Sequence, residues 1–157
     1  MTESAPNSKP SAIARRKASR LMAVQAVYQM SVNRKAAPLV VDEYLHLRSG
    51  MDVDGETMVE PDKRLFQSIV LGVAERHEDL EAIVDANRPR REGQSTAEEP
   101  LLKATLLCGA YELLAHQDVD FPILISGYVD VAKAFFTGNE PALVNGVLDS
   151  VRKVTRA

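Results

Sequence analysis

"EPLLKATLLCGAYELLAHQ", residues 99–117, is apolar on nearly every side of a helical wheel. A surface helix carries one apolar stripe and one polar face, so a helix without a polar face belongs in the middle of a bundle. Thr96 followed by Glu99 forms a capping box that launches it. Gly109 inside it costs about 1 kcal/mol against Ala, which is explained if a neighbouring helix crosses closely there. Cys108, the single cysteine, falls in its apolar run and reads as a buried structural thiol with no disulfide or metal partner. Glu112 suggests either a tuned acid or a carboxylate on the helix edge or paired with a cation, and the second reading is preferred.

The segments around this helix supply its neighbours. Downstream, Pro122 leads "PILISGYVDVAKAFF", and Gly138 then stops the chain before Asn139 caps "EPALVNGVLDSVRKV". Val144, Val147, Leu148 and Val151 form the stripe of this last helix. Asn145 reads as a structural hydrogen-bonder and Gly146 as a close-packing point. Upstream, Pro61 suits the first turn of "PDKRLFQSIVLGVAER", whose stripe is Phe66, Ile69, Val70 and Val73. The stripe continues through His77, Leu80 and Val84, but the fresh acids of "HEDLEAIVDAN" favour a break near His77–Asp79.

"MDVDGETMVE", residues 51–60, reads as a loop, and Pro38–Arg48 as a helix packed through Val40, Val41, Tyr44, Leu45 and Leu47. Helical spacing also runs from Ser11, a candidate N-cap, to about Val32. Residues 1–10 are polar and unpatterned and read as a disordered arm. Aromatics make up only 5% of the chain, so the core is aliphatic and Ala-rich. Six or seven helices, with no strand alternation and no repeat, predict a compact all-α bundle in a single domain over 11–157, antiparallel across its short loops.

Charge is distributed unevenly. The net charge is −3, yet residues 1–35 hold seven cations against Glu3 alone. A basic lead before an acidic body suggests a polyanion partner for the N-terminal part. On a wheel of about 100° per residue, Arg16, Lys17 and Arg20 fall within roughly 100°, while Ala14, Ala18, Leu21, Gln25 and Tyr28 share a separate arc read as the packing face. Cations in a first turn oppose the helix dipole, so helix stability does not account for them. Taken by itself, this face fits an anion partner and a merely solvated surface equally well. Few aromatics stand near it, so no base-stacking platform is evident.

Other chemistry is not signalled. His46, His77 and His116 lie in different segments without a second ligand at helical spacing. No phosphate loop, dinucleotide fingerprint or nucleophile elbow occurs, and neither a cofactor nor a catalytic role is expected. No apolar run approaches the ~18–20 residues of a membrane span and no secretory signal opens the chain, so a cytoplasmic, membrane-free protein is expected.

Five segments, "RRKASRLMAVQAVYQM", "FQSIVLGVAERHEDLEAIVD", "LLKATLLCGAYELL", "VDVAKAFF" and "ALVNGVLDSV", together resemble the NusB family of transcription antitermination factors. The likeness runs in order from about residue 13 to residue 152, and "AVQAVYQ", "YEL", "AK.F" and "VNGVLD" are its most specific elements. It implies two packed helical subdomains and a non-enzymatic role. The implied partners are NusE, a small-subunit ribosomal protein, and single-stranded boxA RNA. Other Nus factors and the elongating RNA polymerase complete the implied complex, chiefly in ribosomal RNA operons. The implied RNA-binding residues are Arg15, Arg16, Lys17 and Arg20, with Lys133, Phe135 and Asn139 near the following loop as a second group.

The chain departs from the family where many members read "INEA", having "ISGY" (Ile125–Tyr128) instead, and Leu107 stands where an Arg often precedes the Tyr. Two other classes compete. One is the related helical domain attached to ribosomal RNA cytosine methyltransferases, and the other a helix-turn-helix DNA binder, which would want its basic helix inside the fold.

Overall fold

The computed structural model describes residues 11–47, 52–53, 56–57, 59–88 and 99–156. Seven helices appear among them: α1 (Ala12–Asn33), α2 (Ala37–Leu47), α3 (Lys63–Glu75), α4 (His77–Asn87), α5 (Pro100–Ala115), α6 (Phe121–Phe135) and α7 (Glu140–Thr155). Between α2 and α3, β1 (Asp52–Val53) pairs antiparallel with β2 (Glu56–Thr57), Asp52 opposite Thr57 and Val53 opposite Glu56. The segment read as a plain loop thus holds a minimal hairpin. Two residues a side are too few to show alternation in sequence.

The expected central helix is α5. Leu102, Ala104–Ala110, Glu112 and Leu113 are all buried, and it packs against α1, α3, α4, α6 and α7. α1, α2 and α3 form one packed group, while α6 and α7 pack with α5 on its other side. The buried side chains nevertheless make one continuous cluster. Fully burying a leucine such as Leu106, Leu113 or Leu148 contributes about 1.5–3 kcal/mol, and all three are wholly enclosed. Cys108 is buried with them. No helix among the described residues is long and apolar enough to cross a membrane.

Local signals explain most boundaries. Ser11 caps α1, its hydroxyl accepting from the Ala14 amide at 3.0 Å. α1 ends at Arg34, whose φ of 55° is left-handed, a conformation that Gly or Asn adopts at lower cost. Asp62, rather than Pro61, starts α3, accepting from the Leu65 amide at 3.2 Å. Pro61 lies one residue outside, where its carbonyl is free to accept from α1. The break between α3 and α4 falls at Arg76, and Glu78 and Asp79 sit in the new first turn. Glu99 caps α5 from the N-cap position, accepting from the Leu101 amide. Glu99 is thus the N-cap and not the third residue of the helix, as the expected capping box required, so that expectation fails for Glu99; Thr96 lies outside the described residues, as do the 1–10 arm and Arg48–Gly50.

Two glycine expectations separate here. A Cβ at Gly109 would stand 2.6 Å from Leu148 Cδ1, so α7 does cross α5 closely there. A Cβ at Gly146 would meet nothing within 4 Å, and both Asn145 and Gly146 are exposed. The structural reading of these two residues fails, because this side of α7 faces away from α5 and α6. Val144, Val147, Leu148 and Val151 bury as expected. At the chain's end, Arg156 closes the C-terminus of α5. Its Nε donates to the Leu113 carbonyl at 2.8 Å and its Nη2 to the His116 carbonyl at 2.7 Å. Carbonyls left over at a helix end need such donors.

Candidate nucleic-acid interface

The N-terminal turn of α1 is docked onto the start of α3. Ser19, buried, donates its hydroxyl to the carbonyls of Arg15 at 3.0 Å and Asp62 at 2.7 Å. The Asp62 amide donates to the Arg15 carbonyl at 3.3 Å, and the Arg15 guanidinium donates to the Pro61 carbonyl at 3.2 Å. These bonds hold the basic turn rigidly although Arg15 itself is exposed.

α6 lies along the other side of α1. A Cβ at Gly127 would stand 3.4 Å from Arg20 Cδ, and Lys17 Nζ lies 3.7 Å from Asp130 Oδ2. Three residues back along α1 correspond to three residues forward along α6, so the two helices run antiparallel in register. One more turn brings Lys133 to the level of the first turn of α1. Lys133 is exposed, Arg16 is half-buried, and neither has an ion pair or hydrogen bond to a described residue. The Lys17–Asp130 pair is largely exposed, and such pairs contribute at most about 1 kcal/mol, so a phosphate competes easily for the ammonium. Arg15, Arg16 and Lys17 share the first turns of α1, and Lys133 follows Asp130, the partner of Lys17, by about one turn of α6.

Arg20 does not join them. It is buried at 5% exposure, and its Nε donates to Glu112 Oε2 at 2.8 Å while Nη2 donates to Oε1 at 3.2 Å. The same Oε2 accepts from the Tyr128 hydroxyl at 2.5 Å, and Oε1 lies 2.9 Å from His116 Nδ1. His116 Nε2 is in turn 3.0 Å from Ser68 Oγ. The expectation that Arg20 shares an exposed face with Arg16 and Lys17 therefore fails. On the wheel Arg20 falls between Arg16 and Lys17, so rotation does not set it apart; it lies one turn further along α1, where Gly127 of α6 stands against its side chain and Glu112 of α5 pairs with it.

Glu112 is the buried carboxylate paired with a cation that the sequence left as one reading. Burial pushes its carboxyl pKa up, but hydrogen bonds from His116 and Arg20, with the charge of Arg20, outweigh that and hold it below the ordinary 4.5. Burial, followed by the charge of Glu112, pushes the Tyr128 hydroxyl well above its ordinary range, so it stays a donor.

The assumed packing face of α1 also turns out differently. Ser19, Arg20, Met22, Ala23, Val24, Ala26 and Val27 are buried. Ala14, Ala18, Leu21 and Gln25 are only half-buried, and Tyr28 is 36% exposed. Phe135 is half-buried against the core, whereas Asn139 is exposed and occupies the N-cap position of α7 without a capping bond from its side chain. The absence of an acid at Gly127 has a structural counterpart: that position abuts Arg20, whose charge is met here from Glu112 on α5.

Comparison with known proteins decides the family. The NusB family model matches residues 17–153. The chain belongs to the NusB family. It is 38% identical over 142 residues to the transcription antitermination protein NusB of Bartonella henselae, an alignment covering 90% of this chain and 89% of that protein. The NusB of Brucella ovis is 40% identical over 142 residues, covering 90% of this chain and 82% of the relative. Among solved structures, T. maritima NusB superposes with a TM-score of 0.71 at 22% identity, covering 93% of both chains. A chain from a complex of antitermination factors NusB and NusE with double-stranded RNA gives 0.72 at 17% identity, covering 89% of this chain and 97% of that one. Both likenesses concern the NusB fold.

Proposed function

We propose that this protein is a cytoplasmic, non-enzymatic antitermination factor that binds boxA-type single-stranded RNA together with NusE. In this reading it supports processive transcription of ribosomal RNA operons alongside other Nus factors and RNA polymerase. The observation that carries the reading is the basic start of α1 beside α6, where Arg16 and Lys133 have no ion pair or hydrogen bond to a described residue and Arg15 and Lys17 are exposed. Those four residues are the proposed phosphate contacts, with Phe135 and Asn139 at the adjoining helix end. The Asn139 side chain is exposed and makes no hydrogen bond to a described residue, which suits it to a base or sugar. The relatives named as antitermination proteins are matched over most of their own length, which favours this role over a methyltransferase-attached domain.

The reading is tested by measuring affinity for boxA-type single-stranded RNA, with a duplex RNA and a duplex DNA in parallel, with and without NusE, across salt. Each phosphate contact adds about 0.7 to the log–log salt slope for a single strand. Tighter binding of the single strand with NusE present, and a slope reduced by about 1.4 in Arg16→Ala/Lys133→Ala, are expected. Equal binding to all three nucleic acids, or an unchanged slope in the double variant, refutes it.

A further inference from the structure

We propose that Arg20 is a positioning residue for RNA binding. It is a buried brace that acts through Glu112 and Tyr128 to fix α1 against α6 and so keep Arg16, Lys17 and Lys133 on one surface. The inference rests on the RNA-binding reading above.

Three observations support it. The fork of Arg20 is spent in two bonds to one carboxylate, and that carboxylate is also bonded by Tyr128 of α6 and faced by His116. A bidentate guanidinium–carboxylate pair fixes direction as well as distance. Arg20 lies one turn from both Arg16 and Lys17, and its chain packs against α6 at Gly127, where a Cβ would stand in ordinary contact at 3.4 Å. A slip of α6 along α1 would break the Tyr128 bond and the Lys17–Asp130 pairing together. Stability alone does not call for this arrangement, because a buried ion pair replaced by apolar side chains of similar volume often leaves stability unchanged or raised. What the apolar replacement lacks is a fixed register.

The test is RNA binding across salt for the full-length protein and the variants Arg20→Met, Glu112→Gln, Arg16→Ala and Arg20→Met/Glu112→Met. Thermal unfolding establishes that each is folded at the assay temperature. Arg20→Met strands a buried carboxylate and risks misfolding, so the double variant, which removes both charges, keeps the question answerable. A loosened brace lowers the fraction of binding-competent molecules, which divides the affinity without altering how many phosphates each complex neutralises.

The expected result is a loss of about tenfold in affinity for Glu112→Gln and for the double variant, at the wild-type salt slope, while Arg16→Ala lowers the slope. Glu112 is fully buried, so its effect would be one that a contact role for Arg20 does not produce. A slope reduced by about 0.7 in the double variant, with Glu112→Gln binding normally, makes Arg20 a direct contact and overturns the brace. Wild-type affinity and slope in every Arg20 and Glu112 variant overturns it too. Failure of the wild-type protein to bind RNA at all removes the underlying function instead.

Discussion

Three helical glycines that look alike in sequence should respond in opposite directions to the same substitution. Gly146→Ala adds a methyl group to open space on the outer side of α7. Nothing opposes the gain in helix propensity, so the fold should be stabilised by about 0.8–1 kcal/mol. For a chain of this size that raises the midpoint of thermal unfolding by roughly 2–4 °C. Gly109→Ala gains the same propensity but drives a methyl to 2.6 Å from Leu148 Cδ1, and Leu148 is fully buried between α5 and α7. Overpacking of this kind costs about 1–3 kcal/mol, leaving a net loss of up to about 2 kcal/mol. At Gly72 the methyl would overlap the ring of Tyr111, which is wedged edge-on against His116 with centroids 5.4 Å apart. A ring so placed has less freedom than a leucine methyl, and the largest loss of the three is expected there. Urea midpoints for the three variants, read by circular dichroism, rank them directly. A Gly146→Ala variant less stable than the parent would refute the reasoning, because it would mean that the outer side of α7 is covered in the folded protein.

Glu112 and Cys108 give two further tests. The folded pKa of Glu112 lies below its ordinary value, so its contribution to stability is complete above about pH 4.5 and is lost as pH falls through the lower folded value. Urea midpoints from neutral pH down to about pH 3 should therefore fall more steeply for the parent than for Glu112→Gln, and parallel curves would contradict the assignment. Burial holds the Cys108 thiol well above its ordinary 9.0, so an aromatic disulfide reagent should leave it untouched in the native protein and titrate it fully in urea. Rapid native reaction would show that α5 is not sealed.

How much of this was legible in sequence depended on contrast between neighbouring positions. The stripes of α3 and α7 were readable because β-branched and aromatic residues there alternate with charges, and Phe66, Ile69, Val70, Val73 and the four residues of α7 are buried; of the continuation into α4, Leu80 and Val84 are buried but His77 is exposed, because the new helix begins at it. α5 was readable for the opposite reason, since a helix with no polar side has only one place to go. α1 offered neither cue. Its middle is Ala-rich on all sides, its buried set includes Ser19 and Arg20, and its half-exposed set includes Leu21 and Tyr28. Apolar residues on a coherent arc point to a packing face, but small residues bury wherever a neighbour approaches, and α2, α3, α5 and α6 all approach this helix. The outward arc instead carries Tyr28 and Gln25, which the expectation had turned inward. Gly146 misled for a related reason: a glycine inside a helix marks a close crossing only when a neighbour is present, and the identity of that neighbour is not written locally.

The burial of Arg20 has a local signal in the sequence. Glu112 stands in a helix that is apolar on all sides, and an isolated carboxylate taken that deep costs several kcal/mol unless a cation accompanies it. The acid in α5 was therefore a demand for a buried base elsewhere. Among the cations of the basic lead, Arg15, Arg16 and Lys17 all precede the apolar stretch of α1, whereas Arg20 sits at its edge, next to Ser19 and Met22, where the helix is already enclosed. Pairing the two would have divided the basic cluster before any coordinates: one arginine committed to the interior by the acid opposite it, and the three cations ahead of it left for solvent or for an anion. The same division makes the cationic face smaller on α1 than composition suggests, and in the proposed RNA-binding reading Lys133 on α6 makes up for the arginine that the ion pair withdraws.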